Sequence, residues 1–364
     1  VKTGEPVVNA LRKCPDLEMV PPEHGYYEIM SKKLMELLRS YTPDIEQVSI
    51  DECYMDYTGI QNRYSSPQEA AETIKNKVKE QLGFTVNIGI SDVKVLAKMA
   101  SDFEKPDKVH TLYKNEIQRK MWGLPVGELF MAGKSSVDTL HKLGIFTIGQ
   151  LAKSPVSILE SHLKSHGRIL WEYANGIDDS VVNTEKEELK GVGNSTTLSK
   201  DLDDLEEIFK VLLTLSEKVG RRLREGKQRA KTVAVEIKYN NFVKCSRQTT
   251  IESATDSGTE IYGLVKILFQ ELWNQTPVRL LGVRTANLTE QGEPQQLTLS
   301  DMENWSEDKK ENRNAVEPSR EKMHRLDEAL DAIKKKYGKD AVKRASLMEQ
   351  NREKKRQNSE RKQT

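Results

Sequence analysis

Asp51 and Glu52 are adjacent acids in the stretch VSIDECYMDYTG, residues 48–59. Val48 and Ile50 before them, and Tyr54, Met55 and Tyr57 after them, are residue types of buried strands, so the pattern sets both carboxylates at a sheet edge beside the core. Two like charges about 4 Å apart repel by roughly 4 kcal/mol at an effective dielectric near 20. A basic side chain, a shared proton or a divalent cation would offset that cost. Hard oxygen donors on a sheet suit Mg²⁺, which commonly binds through one or two carboxylates plus substrate phosphates. Lys105, in DFEKPDK, follows the helix after the next strand, where its ammonium could meet a phosphate as a point charge. Gly133, Lys134 and Ser135, in AGKSS, form a glycine turn into a helix, and backbone amides in such a turn can hold a phosphate without reading sequence. Lys244, Arg247, Arg279 and Arg284 stand among apolar neighbours in VKCSRQTT and VRLLGVRTANL, consistent with a basic sheet face along a phosphate backbone. Each feature has a plainer counterpart: a solvated hairpin turn, a solvated lysine before proline, a helix connection, ordinary surface charge.

The elements that position these residues follow from periodicity. A short helix near residues 5–13 ends at Cys14 and Pro15, and DLEMV reads as a brief strand. A helix over 23–40 turns Tyr27, Met30, Leu34 and Leu37 to a core. Two strands then flank the acids. Ser66, Pro67, Gln68 and Glu69 form a capping box with proline at the first helical position, Ile74, Val78 and Leu82 follow, and Gly83 lies past the end. FTVNIGIS alternates as a half-buried strand, and DVKVLAKMASDF returns to helical period through Val93, Leu96, Ala100 and Phe103. From about residue 114 the pattern is of short helices, two of them hinged at Gly144, and one ending at Gly176. Residues 183–190 read as a polar linker. A second mixed domain has helix 205–224, strands 230–239 and 243–251, helix 258–274 and strand 278–288. Met323, Leu326, Leu330 and Ile333 mark a last amphipathic helix before a polar tail.

At 364 residues the chain suits two or three domains. Lys and Arg (57) nearly cancel Asp and Glu (56), so the net charge of +1 leaves the question of a polyanionic partner to the distribution of charge. No apolar run approaches the roughly 20 residues of a membrane span. The three cysteines, Cys14, Cys53 and Cys245, form no CxxC pair, which argues against a zinc site or disulfide framework and fits a reducing cytoplasm. The chain opens at Val1 and reads as beginning inside a longer protein.

Together, GEPVVNALRKCP, VSIDECYMDYTG, VNIGISDVKVLAKMASDFEKP, LPVGELF through LGIFTIGQLA, WEYANGIDD and KGVGNSTT resemble the Y-family translesion DNA polymerases, in the DNA polymerase IV branch, over roughly residues 1–289. The resemblance implies an α+β multidomain fold: a fingers remnant at 1–23, a palm at 24–113, a helical thumb with a helix-hairpin-helix at 114–182, and the linker at 183–190. A little finger with a four-stranded sheet would follow at 191–289 and a tail at 290–364. It implies that Asp51 and Glu52 are metal-binding carboxylates for two Mg²⁺ ions, that Lys105 contacts the triphosphate, and that Gly133, Lys134 and Ser135 hold DNA phosphate. Asn194, Ser195, Arg247, Arg279 and Arg284 would be little-finger backbone contacts. Primer-template DNA and deoxynucleoside triphosphates are the implied partners of a cytoplasmic, monomeric polymerase. QQLTLSD resembles the family's clamp-binding peptide, with Gln296, Leu297 and Leu299 entering a sliding-clamp pocket and Ser300 in place of the usual phenylalanine, which weakens the contact.

Departures accompany the match. The family's first catalytic aspartate, its ribonucleotide-excluding aromatic residue and its tyrosine and arginine triphosphate contacts would precede Val1, so residues 1–364 alone are expected to show no measurable polymerase activity. Met131 stands where the family usually has glycine, and Asp107-Lys108 replaces a commoner glycine turn. The competing readings are a non-catalytic DNA-binding remnant and a nucleotide cyclase on a similar palm; the roughly 170 residues of DNA-grasping modules after the palm argue against the cyclase.

Overall fold

The computed structural model describes residues 1–185, 188–290, 310–338 and 341–342, with residues 310–323 described in backbone only. The chain divides into two compact units, Val1–Lys186 and Glu187–Thr364.

The first unit opens with α1 (Val7–Lys13) and α2 (His24–Arg39), followed by a hairpin of β1 (Ile45–Gln47) and β2 (Cys53–Met55), antiparallel with Gln47 opposite Cys53. DLEMV is not a strand: among the described residues none pairs with it, Pro21 and Pro22 follow it, and Met19 and Val20 are exposed. The core stripe of α2 is Ser31, Leu34, Met35 and Leu38, about one residue round from the expected face, with Tyr27 exposed. The next helix, α3 (Pro67–Leu82), starts as its sequence dictates: Ser66 accepts a 3.2 Å hydrogen bond from the Glu69 amide, proline takes the first turn, and Gly83 ends it in the left-handed conformation. Ile74 and Val78 bury against Leu34, Leu38 and Ile45.

Strand β3 (Ile88–Ile90) leads into α4 (Lys94–Ser101) and pairs in parallel with β4 (Val109–Thr111), which sequence periodicity did not reveal. Gly89 lets this strand touch the helix, since a β-carbon there would collide with the Ala97 carbonyl and the Ser101 amide. Leu96, Met99 and Ala100 of α4 are buried in a core shared with short helices: α5 (Ile117–Lys120), α6 (Lys134–Lys142), α7 (Ile148–Lys153), α8 (Val156–Leu163) and α9 (Ser165–Ala174). Gly144, at φ 77°, makes the hinge between α6 and α7, and Thr147 with Gln150 forms the capping box that starts α7.

In the second unit a four-stranded antiparallel sheet runs in the order β5 (Gly191–Leu202), β8 (Val278–Glu290), β6 (Gln228–Tyr239), β7 (Lys244–Thr255). Strand β5 is rich in Gly, Ser and Thr and was not legible from alternation alone. Helices α10 (Leu205–Glu225) and α11 (Gly258–Leu272) pack on one face of the sheet, where Ile208, Leu212, Phe269, Val233, Val235, Ile237 and Val283 are fully or almost fully buried. The last helix, α12 (Lys310–Tyr337), docks by a charged side: Asp327 is buried, while Leu326 and Ile333 of its apolar stripe are exposed. Among the described residues it is held by ion pairs and by a hydrogen bond from Ser257 to Asp327. Arg224, with a side chain only 9% exposed, meets Asp331 at 2.7 Å and Asp327 at 3.4 Å, and His324 meets Asp256 at 3.2 Å.

Candidate active site and nucleic-acid contacts

The hairpin turn between β1 and β2 is set by Ser49. Its hydroxyl donates to Asp51 Oδ1 at 2.7 Å and accepts from the amides of Asp51 (3.3 Å) and Glu52 (3.1 Å), while the Val48 amide closes the turn on the Glu52 carbonyl at 3.0 Å. Asp51 and Glu52 are therefore carried side by side on a short turn. They are not at a buried sheet edge: Val48 is 54% and Ile50 47% exposed, and both acids are exposed. The ladder ends at Gln47 and Cys53, too early to bury the apolar residues beside the acids. Water and lysine carry the cost of the adjacent charges.

That lysine is Lys98, whose ammonium lies 2.6 Å from Glu52 Oε1 and 3.2 Å from Asp102 Oδ2. Lys105 reaches the other oxygen of Asp102 at 2.7 Å. A continuous charge chain, Glu52–Lys98–Asp102–Lys105, thus joins the acid pair to the expected triphosphate lysine. Burial acts to lower the Lys98 pKa, but the hydrogen bonds it donates to Glu52 and Asp102 outweigh it and leave the ammonium above its usual value. Burial likewise acts to raise the Asp102 carboxyl, and the two lysines outweigh it and hold it below the carboxylate range. Sequence reasoning did not single out Lys98 or Asp102. The signal was present, because Lys94, Lys98, Asp102 and Lys105 recur every three to four residues along one side of α4 and its extension.

Helix α4 is fixed against the hairpin at both ends. Lys94 donates to Glu46 on β1 at 2.6 Å and lies 4.8 Å from the centre of the Tyr54 ring. Asp178, after α9, accepts from the Val95 amide at 3.0 Å and so caps the first turn from a distance. Burial pushes the Tyr54 phenol up to about 12, with Asp178, Glu46 and Glu52 adding to it. Beyond Lys105, Asp107 adopts φ 61° and is tied to α3 by Lys79 at 2.7 Å and Lys75 at 3.6 Å. Aspartate tolerates this conformation better than most residues, so it serves where a glycine turn was expected.

Two adjacent exposed carboxylates offer hard oxygen donors, which fit Mg²⁺ of the kind completed by substrate phosphates and water. Among the described residues no group of three or more His, Cys, Asp or Glu is arranged to hold a metal ion.

In the short-helix region, Gly133 is the N-cap of α6 and no side chain caps that end. Gly133, Lys134 and Ser135 are exposed, and the first-turn amides are open to an anion. Met131, two residues earlier, sits at φ 72°.

The basic residues of the second unit do not form one face. Arg284 is in register with Gly193 and Ala234, and Ser195 with Gly282, on the side of the sheet away from α10 and α11. Asn194 and Arg247 are in register with buried Val283 and Val235, on the helix side, and Arg247 pairs with Glu271 of α11 at 2.7 Å. Strand alternation separates them. Arg279 lies beside a register shift, 3.8 Å from Asp201 and 5.0 Å from the Phe242 ring centre, while Lys244 meets Glu236 at 3.6 Å. Gln296, Leu297 and Leu299 lie outside the described residues.

Comparison with known proteins supplies the family. Residues 1–102 match the impB/mucB/samB family and residues 189–299 match the impB/mucB/samB family C-terminal domain. The DNA polymerase IV of Clostridium acetobutylicum is 44% identical over 96% of this chain and 84% of its own length. That of Alkaliphilus oremlandii is 38% identical over 96% of this chain and 86% of its own length. A solved Y-family DNA polymerase chimera of Dbh and Dpo4 superposes with a TM-score of 0.69 at 25% identity, covering 80% of this chain and 84% of the chimera. The chain belongs to the Y-family DNA polymerases, a family of DNA-directed DNA polymerases, in the DNA polymerase IV branch.

Proposed function

We propose that the protein carries out template-directed DNA synthesis past damaged bases, with Asp51 and Glu52 as carboxylates that hold divalent cations. The observation that carries this reading is the chain of contacts from Glu52 through Lys98 and Asp102 to Lys105, which joins a carboxylate of the hairpin turn to a triphosphate-binding ammonium just past the end of α4. In the reaction a primer 3′-hydroxyl attacks the α-phosphorus of a deoxynucleoside triphosphate and pyrophosphate leaves. Two Mg²⁺ ions, when bound, would lower the charge on the entering and leaving oxygens. This chain's own contribution is to aim the carboxylates, through the Ser49 turn, and to offer Lys105 to the phosphates. The open N-terminus of α6, with Gly133, Lys134 and Ser135, would hold backbone phosphate without reading sequence. Ser195 and Arg284 on the open face of the sheet, with Asn194, Arg247 and Arg279 at the other positions, would supply further backbone contacts.

A cytoplasmic monomer fits the three free thiols, and among the described residues no helix is long and apolar enough to cross a membrane. A weak sliding-clamp contact through Gln296, Leu297 and Leu299 completes the reading.

Primer extension by the full gene product, wild type against Glu52→Gln, tests the assignment. Loss of Mg²⁺-dependent extension with unchanged DNA binding is expected; undiminished extension would remove Glu52 from the mechanism. Residues 1–364 run beside it, and ordinary extension by them would refute the expectation that they are inactive alone.

A further inference from the structure

Lys98 faces two carboxylates at once, Glu52 at 2.6 Å and Asp102 at 3.2 Å, and Asp102 in turn holds Lys105 at 2.7 Å. Lys98 is the sheltered member of this chain and exposure rises toward its far end: Lys98 is 17% exposed, Asp102 41% and Lys105 57%. A divalent cation at Glu52 repels the Lys98 ammonium and removes its nearer partner. Lys98 need only lean on Asp102, which it already touches, to recover a full ion pair. Asp102 then has a sheltered lysine as its main partner, and its hold on the exposed lysine weakens.

We propose that Lys98 is a positioning residue that passes the arrival of a cation at Glu52 on to Lys105. Before the cation binds, Lys98 neutralises Glu52, and Asp102 keeps Lys105 folded back. After it binds, Lys98 moves onto Asp102 and Lys105 is released toward the triphosphate. The site would then offer its phosphate-binding lysine only once the acid pair is loaded. The inference rests on the reading of Glu52 as a metal carboxylate.

Three features of the geometry support a relay over a static ion pair. The four groups alternate in sign, so a charge added at one end must redistribute along the row. Lys98 and Asp102 are one turn apart at the end of α4, and Lys105, three residues further on, already touches Asp102, so each transfer needs only side-chain movement. Lys94, one turn before Lys98, is engaged with Glu46 and Tyr54, so it anchors the helix while Lys98 moves.

The test uses the full gene product without DNA. Mn²⁺ binding is followed by electron paramagnetic resonance in wild type, Lys98→Met, Lys98→Arg and Glu52→Gln. Separately, the side-chain ¹⁵N resonances of Lys98 and Lys105 are followed through a Mg²⁺ titration in wild type and Asp102→Asn. Removing the competing ammonium should tighten Mn²⁺ binding in Lys98→Met by roughly fivefold, the value of a partly exposed ion pair, and Lys98→Arg should restore wild-type affinity. The Lys105 resonance should shift with Mg²⁺ in wild type and stay fixed in Asp102→Asn. A purely structural role for Lys98 would weaken Mn²⁺ binding when it is removed, the opposite sign, and would overturn the proposal. So would a Lys105 resonance that ignores Mg²⁺ in wild type. Wild-type Mn²⁺ affinity in Glu52→Gln would instead sink the metal-site reading on which the relay rests.

Discussion

Replacing Gly89 by alanine tests whether α4 is held where the site needs it. A β-carbon there meets the Ala97 carbonyl and the Ser101 amide, both backbone atoms of α4, and Ala100 Cβ at 3.0 Å. No rotamer change relieves a backbone collision, so strand and helix must separate by about 1.5 Å to bring the approach to the Ala97 carbonyl up to ordinary contact distance. Overpacking of this kind costs typically 1–3 kcal/mol, and Gly89→Ala is placed near the upper end, about 3 kcal/mol, because the obstacle is a hydrogen-bonded helix. The functional consequence follows from the same movement, since α4 carries Lys94, Lys98 and Asp102 against the hairpin. Gly59→Ala is the control: its β-carbon meets nothing within 4 Å and its φ is not positive, so a change within about 0.5 kcal/mol of wild type is expected. Urea unfolding gives both stabilities, and Mn²⁺ affinity reports the site. Wild-type stability in Gly89→Ala, or an equal loss in Gly59→Ala, would refute the close-approach argument.

Arg224→Leu removes the arginine that Asp331 and Asp327 of α12 share, at a cost of about 1–3 kcal/mol because Asp327 keeps the hydrogen bond from Ser257; hydrogen exchange should show α12 losing protection before the sheet does. The Glu116 carboxyl is held below its usual value by the hydrogen bond from Lys120 at 2.7 Å. A depressed carboxylate stabilises the fold above its unfolded pKa and loses that contribution as pH falls through the folded value. Glu116→Gln should therefore unfold at lower urea than wild type at pH 7, and the gap should close below about pH 4; a gap that persists at pH 2.5 would contradict the cause given.

Much of the fold was legible because its helices announce their ends. Ser66, Pro67 and Gly83 bracket α3 and Gly144 makes the hinge before α7 where the pattern put them, while the capping box of Thr147 and Gln150 is added by the structure. Strands were harder. β4 has three residues, too few for alternation to register, and β5 owes its place to pairing with β8 rather than to apolar content. The helix α12 could be read from the spacing of Leu326 and Ile333, but not what holds it, since both are exposed and Arg224 pairs with Asp331 on another side. At the site the acid pair could be read directly, but its surroundings could not. Val48 and Ile50 look like core residues until the ladder is seen to end before them. The lysine that neutralises Glu52 lies 46 positions further on, and its spacing to Asp102 reads as an ordinary surface pair of one helix.

The central claim is that Asp51 and Glu52 share a turn in order to hold cations with an incoming triphosphate. The most direct measurement is a high-resolution structure of the full gene product with primer-template DNA, a non-reacting nucleotide and Mg²⁺. The account expects oxygens of both side chains in a cation's coordination shell, at about 2.0–2.1 Å. Side chains turned away from the phosphates, with Lys98 still seated on Glu52 and no cation beside it, would contradict it.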